Sequence, residues 1–405
     1  MREPQKSMFA VERIFHPVGQ GGFYTERIAV DDMSLPSGKR IFNVVYDCGT
    51  SSRQLFLDSE IGRSYCDGSI IDLMFISHLD EDHINGMDKF KKKNIEIKCL
   101  VLPLLEKSRF WFYFLESGIN VYQKNALKSY FNAKSIIFIY PFNGEVTNLQ
   151  NSYETIEIDV ENLPEDEKPR LSGSKIGFRS LPFWSYIPYN FDFDGRYHEF
   201  MNILKDVDAT LYAEITDKSS DKSKIIGDDS KLKVLRRVYD KLTKRNDSSL
   251  MVYSGPLSDS LRLTQRTVRY DNSVVSPSFG IRSLHKSPFQ HRKLVGALYT
   301  GDIDLNQTVS GKAVLPSLSD HLNRGTALSD MIGTVQIPHH GSVHNYSDDI
   351  FSCFPVTPYY FVSYGTTNHY GHPFPGMEFN VMTSRRTYLE VTEQRVTGIK
   401  QIIYN

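Results

Sequence analysis

The chain has 405 residues, 40% of them apolar and 23% charged, with no Gly/Ser, Gln/Asn or heptad bias. This excludes the disordered, collagen-like and coiled-coil classes and leaves a globular protein of two or three folding units at about 150 residues each, or one large domain with insertions. Its 47 basic and 48 acidic side chains nearly cancel, so a polyanionic partner would have to be held by a local patch. No apolar run approaches the roughly 18 residues of a membrane span, and the N-terminus lacks the apolar core of a signal peptide, which predicts a cytoplasmic protein without membrane contact. Four cysteines (Cys48, Cys66, Cys99, Cys353) without a C-x-x-C pair indicate neither a disulfide scaffold nor a thiolate zinc site, so any metal must be held by nitrogen and oxygen.

In chain order, β-branched and aromatic runs predict strands at Phe9–Phe15, Ile41–Tyr46 and Ile71–Ser77. The second runs into Asp47-Cys48-Gly49 and the third into His78-Leu79-Asp80-Glu81-Asp82-His83. From Leu105 to Asn246 no comparable motif occurs. This stretch carries acidic loops (Glu161–Glu167), the aromatic run Phe183-Trp184-Ser185-Tyr186, and a helical pattern capped by Ser230 with Leu232, Leu235, Val238, Tyr239 and Leu242 on one face. Residues 106–245 therefore read as an insertion or subdomain in a core made of 1–105 and 246–405. Further strands are predicted at Leu250–Tyr253, Leu294–Thr300, Thr334–Ile337 and Tyr359–Ser363, the last three followed by Gly301-Asp302, His339-His340-Gly341 and Tyr364-Gly365. Polar groups just past the ends of buried strands are where a layered α/β protein builds its site, because the sheet fixes them while the loops stay open.

The strongest chemical signal is the six-residue turn 78–83. Two histidines and two aspartates on one tight turn can converge on a small volume, and carboxylates with neutral imidazoles are good ligands for divalent cations. The alternative is a solvated turn whose charges face water; the recurrence of Asp302 and His339-His340 after later strands argues for the metal reading.

The order H-x-D-x-D-H, T-G-D, H-H-G resembles the metallo-β-lactamase-fold hydrolases, an αββα sandwich with a dinuclear metal site at one edge. More narrowly it is similar to the hydrolase domain of ComEC-type bacterial DNA-uptake proteins: V-G-Q-G-G at 18–22, D-C-G at 47–49, S-H-L-D-E-D-H-I-N-G at 77–86, N-D-S-S-L at 246–250, T-G-D-I at 300–303, P-H-H-G-S at 338–342 and S-Y-G-T-T-N-H-Y-G-H-P at 363–373. The resemblance covers roughly 11–105 and 246–380. It implies that His78 and Asp80 face one metal, that Asp82 and His83 face the other, that Asp302 bridges, and that His339 or His340 completes the second site. Two departures matter: aspartate stands at 80 where the zinc pattern of the superfamily has histidine, and its separate histidine before the T-G-D block has no clear counterpart. Both enrich the first site in oxygen, so the two divalent cations expected are Zn²⁺ or Mn²⁺, with Mg²⁺ also compatible.

The resemblance further implies that Asp82 and Asp302 hold an activated water and that His372, with Asn368 nearby, touches a substrate phosphate. Asp47 reads equally as a residue orienting a ligand or as a turn former. His344 and His369 read as surface residues, and Ser342 as a turn cap. Between Arg262 and Lys293, seven basic residues (Arg262, Arg266, Arg269, Arg282, Lys286, Arg292, Lys293) face a single acid, Asp271, a balance that suits a phosphate backbone or a solvated loop. The aromatic run from Phe183 to Phe200 could stack bases, although building the core of the insertion is the better reading.

The expected function is that of a dinuclear metallohydrolase, a phosphodiesterase or nuclease acting on DNA or RNA, for example with partner proteins in a multi-component defence system. The alternatives are hydrolysis of a small ester, thioester or lactam by the same metals, or a scaffold with a degenerate metal site. Nothing in the sequence speaks to oligomeric state.

Overall fold

The strands Lys39–Cys48, Ile70–Phe75 and Glu96–Pro103 carry buried side chains on both faces through their central and C-terminal residues, so the sheet they form needs cover on both sides. The computed structural model describes residues 9–104, 115, 124–142, 158–163, 168–191, 193, 195–217, 219–242, 248–259, 262–270, 290–324 and 327–405. Two large sheets supply that cover. The first has nine strands in the order Gln290–Arg292, Thr264–Arg269, Ile399–Tyr404, Phe9–Phe15, Phe23–Asp31, Lys39–Cys48, Ile70–Phe75, Glu96–Pro103, Ala133–Ile139. The second has eight, in the order Thr387–Val391, Tyr359–Ser363, Ile332–Gln336, Gly296–Tyr299, Ser249–Pro256, Trp184–Phe191, Ile176–Gly177, Ile158–Asp159.

Three apolar clusters fix the layers. Val11, Tyr24 and Leu73 of the first sheet meet Trp184, Val252, Tyr299 and Phe361 of the second. On the outer face of the first sheet, Leu57 and Ile61 of helix Gln54–Ser64, Phe90 of Met87–Lys92 and Leu127 and Phe131 of Lys124–Phe131 cover Met74, Leu100 and Ile136. On the outer face of the second, Leu315 and Leu318 of Val314–Leu322, Ile350 of Asp349–Cys353 and Val381 of Met377–Thr383 cover Met251, Leu298 and Tyr360. The result is a helix–sheet–sheet–helix sandwich. Among the described residues no helix is long and apolar enough to cross a membrane.

All seven predicted strands occur to within a few residues. The segment 106–245 divides. Ala133–Ile139 and Trp184–Phe191 are members of the two sheets, whereas the helices Gly195–Val207, Ala209–Thr216, Lys222–Ile226 and Asp229–Tyr239 pack on one another around Phe200, Leu204, Leu211, Leu235 and Val238. These helices thus share an apolar cluster separate from the three that fix the layers. The aromatic run from Phe183 to Phe200 is divided: Trp184–Phe191 is a strand buried throughout, with Trp184 and Tyr186 filling the space between the sheets, whereas Tyr197 and Phe200 pack in the core of the helices. The last helix starts two residues earlier than expected: the carboxylate of Asp228 accepts from Ser230 N and Lys231 N, so Asp228 is its cap and Ser230 lies in the first turn.

One buried ion pair joins the sheets. Arg13 Nε donates to Glu26 Oε1 at 2.7 Å, with the two side chains 0% and 2% exposed. Glu26 also accepts from the hydroxyls of Ser254, Tyr186 and Tyr299 on the second sheet, at 2.8–2.9 Å. Removing one partner strands a buried charge, whereas replacing both by apolar groups of like volume does not. Arg13→Ala should therefore cost about 3–5 kcal/mol in urea unfolding and Arg13→Met/Glu26→Leu markedly less; equal losses would show that the pair is not coupled.

Candidate metal centre

The parallel strands Lys39–Cys48 and Ile70–Phe75 of the first sheet, and Gly296–Tyr299, Ile332–Gln336 and Tyr359–Ser363 of the second, run into the loops that carry the polar motifs. Asp47 is the next-to-last residue of the first strand and adopts a left-handed conformation (φ 55°). Its carboxylate accepts from Ser77 N at 2.7 Å, Ser77 Oγ at 2.7 Å and His83 Nδ1 at 2.8 Å, tying the ends of two adjacent strands to the turn that follows. The turn 78–83 enters a short helix, Glu81–Ile84, whose backbone lies against Gly49. A Cβ there would stand 2.5 Å from Asp82 O, so only glycine lets this turn sit so close to the first sheet. Asp302 follows Gly301 (φ 56°), where a Cβ would meet Ser249 Oγ at 2.1 Å. His339 and His340 both adopt left-handed backbone (φ 47° and 54°), which costs roughly 1–2 kcal/mol per residue and is retained where the surroundings hold it.

These loops bring His78, Asp80, Asp82, His83, Asp302, His339 and His340 together. His78 Nε2 lies 3.7 Å from Asp80 Oδ2 and 3.8 Å from Asp302 Oδ2. His83 Nε2 lies 3.9 Å from Asp82 Oδ1 and 3.4 Å from Asp302 Oδ1. His339 Nε2 approaches Asp302 Oδ2 at 3.7 Å, and His340 Nε2 approaches Asp82 Oδ2 at 3.4 Å. Separations near 3.4 Å are those of neighbouring ligands on a tetrahedral cation with bonds of about 2.1 Å. Two groups have donor atoms within 4.8 Å of one another: His78, His83 and Asp302, and Asp82, His83 and His340.

The tautomers fit the same reading. Nδ1 of His78 contacts Ser77 Oγ at 2.9 Å, Nδ1 of His83 contacts Asp47, and Nδ1 of His340 contacts Ser363 O at 2.8 Å. Nε2 of all three is buried without a hydrogen-bond partner among the described residues, as is Asp80 Oδ1. Three imidazoles anchored through one nitrogen, with the other orphaned and aimed at carboxylates, are arranged as metal ligands are.

The charges point the same way. Burial would raise the carboxyl of Asp302, but His83, His339 and His340 hold it well below the usual range. Burial and the same kind of contact, chiefly with His83, leave Asp82 at about 2. Burial would lower His83, yet Asp302, Asp47 and Asp82 push it well above an ordinary histidine. Burial and the neighbouring His83 bring His78 down to about 4. The pocket thus gathers ionised carboxylates and draws a proton onto His83, where a divalent cation would supply the positive charge instead.

His372 flanks the donors, its ring centroid 5.2 Å from that of His339 and 6.4 Å from that of His340. Burial, His339 and His340 lower it to about 4. Asn368 serves the loop: its side-chain amide donates to Gly365 O and His372 O, and its Oδ1 accepts from Tyr370 N and His372 N. Ser342 Oγ accepts from His344 N, and His344 and His369 are exposed, as the sequence predicts.

The arginines are not brought to the donors. Strand Thr264–Arg269 is separated from the one bearing Asp47 by three others, and the four steps amount to roughly 19 Å at about 4.8 Å per step. Arg266 lies within that strand, Arg262 precedes it at its opposite end, and Arg269 donates to the carbonyls of Glu390 and Thr397. Residues 271–289 of the basic stretch lie outside the described residues.

Two contributors escaped the sequence reading. Ser77 joins Asp47, His78 and His83, and its position just before the first motif is the only hint of this. Gln336 Oε1 accepts from Thr300 N at 2.9 Å while its Nε2 donates to Tyr24 OH, which in turn donates to Ser363 Oγ. This chain of bonds links the loop of Asp302 to the residue that anchors His340.

No family model matches the chain, and no curated protein matches it. Among solved structures, the crystal structure of a long form RNase Z from yeast is similar, with a TM-score of 0.32 and 11% identity over 88% of this chain and 36% of that one. The chain therefore spans little more than a third of that protein, and a superposition this loose carries no weight beside the site itself.

If Asp47 orients His83, Asp47→Ala should weaken divalent-cation binding by about 10–100-fold in titration calorimetry while circular dichroism stays native. Affinity in the wild type should fall as pH falls, beginning above the ordinary histidine range, because the cation competes with the proton on His83 and His340, both of which hold it more tightly than a free imidazole. Affinity unchanged by both the substitution and pH would show that these histidines are not ligands.

Proposed function

We propose that the chain is a metal-dependent hydrolase of the metallo-β-lactamase type, acting as a phosphodiesterase on nucleic acid. The observation that carries this reading is the disposition of Asp302. Its Oδ2 faces His78 and His339 and its Oδ1 faces His83, the arrangement of a carboxylate shared between two cations. On these distances His78, Asp80 and His339 would hold one cation, Asp82, His83 and His340 the other, and Asp302 both. Two cations in such a pair supply Lewis-acid neutralisation of a phosphoryl group and activation of water at neutral pH. Aspartate at 80 in place of an imidazole makes the first half richer in oxygen, which favours Mn²⁺ over Zn²⁺ there.

The chain's own residues do the rest. Asp47 and Ser77 hold His83 and His78 in the tautomer that turns Nε2 inward. Asp82, ionised at neutral pH, accepts from the attacking group. His372, neutral at that pH and with its buried Nδ1 without a hydrogen-bond partner among the described residues, would donate a hydrogen bond to a phosphate oxygen or to the departing oxygen. The sequence blocks shared with ComEC-type hydrolase domains support nucleic acid over a lactam or thioester as substrate.

Chelation should abolish cleavage of a panel of single- and double-stranded DNA and RNA, and Mn²⁺ should restore it at least as well as Zn²⁺. Asp302→Ala should lower turnover by on the order of 10³-fold or more with native circular dichroism, since one side chain serves both cations. Cleavage of lactam or thioester substrates alone, with no phosphodiester hydrolysed, would replace this reading with the small-molecule one.

A further inference from the structure

We infer that Tyr370 is a stacking platform for an unpaired nucleobase next to the scissile phosphate, so that the substrate segment entering the site is single-stranded. The inference rests on the phosphodiesterase reading and deepens it. Three aromatic rings lead from the donor cluster to solvent: His340, then His372 at 6.4 Å and 25°, then Tyr370 at 5.7 Å and 30° from His372. The innermost ring is buried among the donors, the middle one is part-buried, and the outermost is 70% exposed. Phe379 is equally exposed, but it lies on helix Met377–Thr383 and has no ring contact with a site histidine among the described residues.

The Tyr370 ring is presented at a set place. Asn368 Oδ1 accepts from both Tyr370 N and His372 N at 3.1 Å, fixing the backbone on either side of Gly371. One face of the ring is taken by His372, and the other is available for a planar group. A phosphate held beside His372 puts its own nucleotide's base within a ring spacing or two of Tyr370. A base reaches that position only when it is not paired and stacked in a duplex, and a π-face accepts any of the four bases, so this contact selects for strandedness and not for sequence.

The test compares the metal-loaded wild type with Tyr370→Ala and Tyr370→Trp on a single-stranded oligonucleotide, on the same strand carrying one abasic position next to the cleaved bond, and on the duplex. Base stacking on one aromatic ring corresponds to about 5- to 150-fold in binding. The wild type should therefore prefer the intact strand to the abasic one by that factor in KM, Tyr370→Ala should lose the preference, and Tyr370→Trp should keep it. A preference retained in Tyr370→Ala, or a wild type that cleaves abasic and intact strands alike, would overturn the inference while leaving the phosphodiesterase reading in place. A wild type that cleaves neither strand nor duplex would overturn both.

Discussion

The carboxylate of Asp47 is wholly buried and accepts three hydrogen bonds, two from Ser77 and one from His83, and the remaining geometry of the site depends on it. Through Ser77 it joins the ends of two neighbouring parallel strands. Through His83 it decides which imidazole nitrogen is free. With Nδ1 occupied, Nε2 can only point at Asp82 and Asp302, which arrive from a turn on the same sheet and a loop on the opposite one. A buried, charge-assisted contact of this kind is strong because little solvent competes for it.

The same burial explains why the cluster could hold a cation. Asp82 and Asp302 carry negative charge in a space where desolvation opposes it, and the protons drawn to His83 and His340 offset that charge only in part. Elsewhere in the sandwich the fold handles the problem differently. Glu26 is neutralised by Arg13 and hydrogen-bonded on both oxygens, and its partners come from both sheets. One cluster is closed and structural, whereas the other is left open at three histidine nitrogens and a carboxylate oxygen, and that contrast separates architecture from chemistry in this molecule.

How much of this was readable in the sequence follows from the range of the interactions involved. Strands such as Ile70–Phe75 and Tyr359–Ser363 announce themselves by continuous apolar runs, and the donors by their position just past such runs. Strand Phe23–Asp31 does not, because its buried Glu26 is balanced by Arg13, a residue of another strand. Strand Thr264–Arg269 reads as a basic stretch because its buried face is polar: Gln265 and Thr267 turn inward, where Gln401 Nε2 meets Thr267 Oγ1 and Thr334 Oγ1. Arg269, expected on a phosphate path, donates from Nη1 to two backbone carbonyls and so ties the strand end to two neighbouring loops. Likewise Asn368 sits in the expected loop but works on the backbone beside His372, a role that only the folded loop reveals.

Whether the one carboxylate of Asp302 is shared by two cations can be read from electron paramagnetic resonance of the Mn²⁺-loaded protein beside elemental analysis. Two manganese ions per chain with the spectrum of an exchange-coupled pair are expected, with loss of that coupling in Asp302→Ala. A single bound ion, or two ions whose spectra are those of isolated Mn²⁺ in the wild type, would contradict a shared carboxylate.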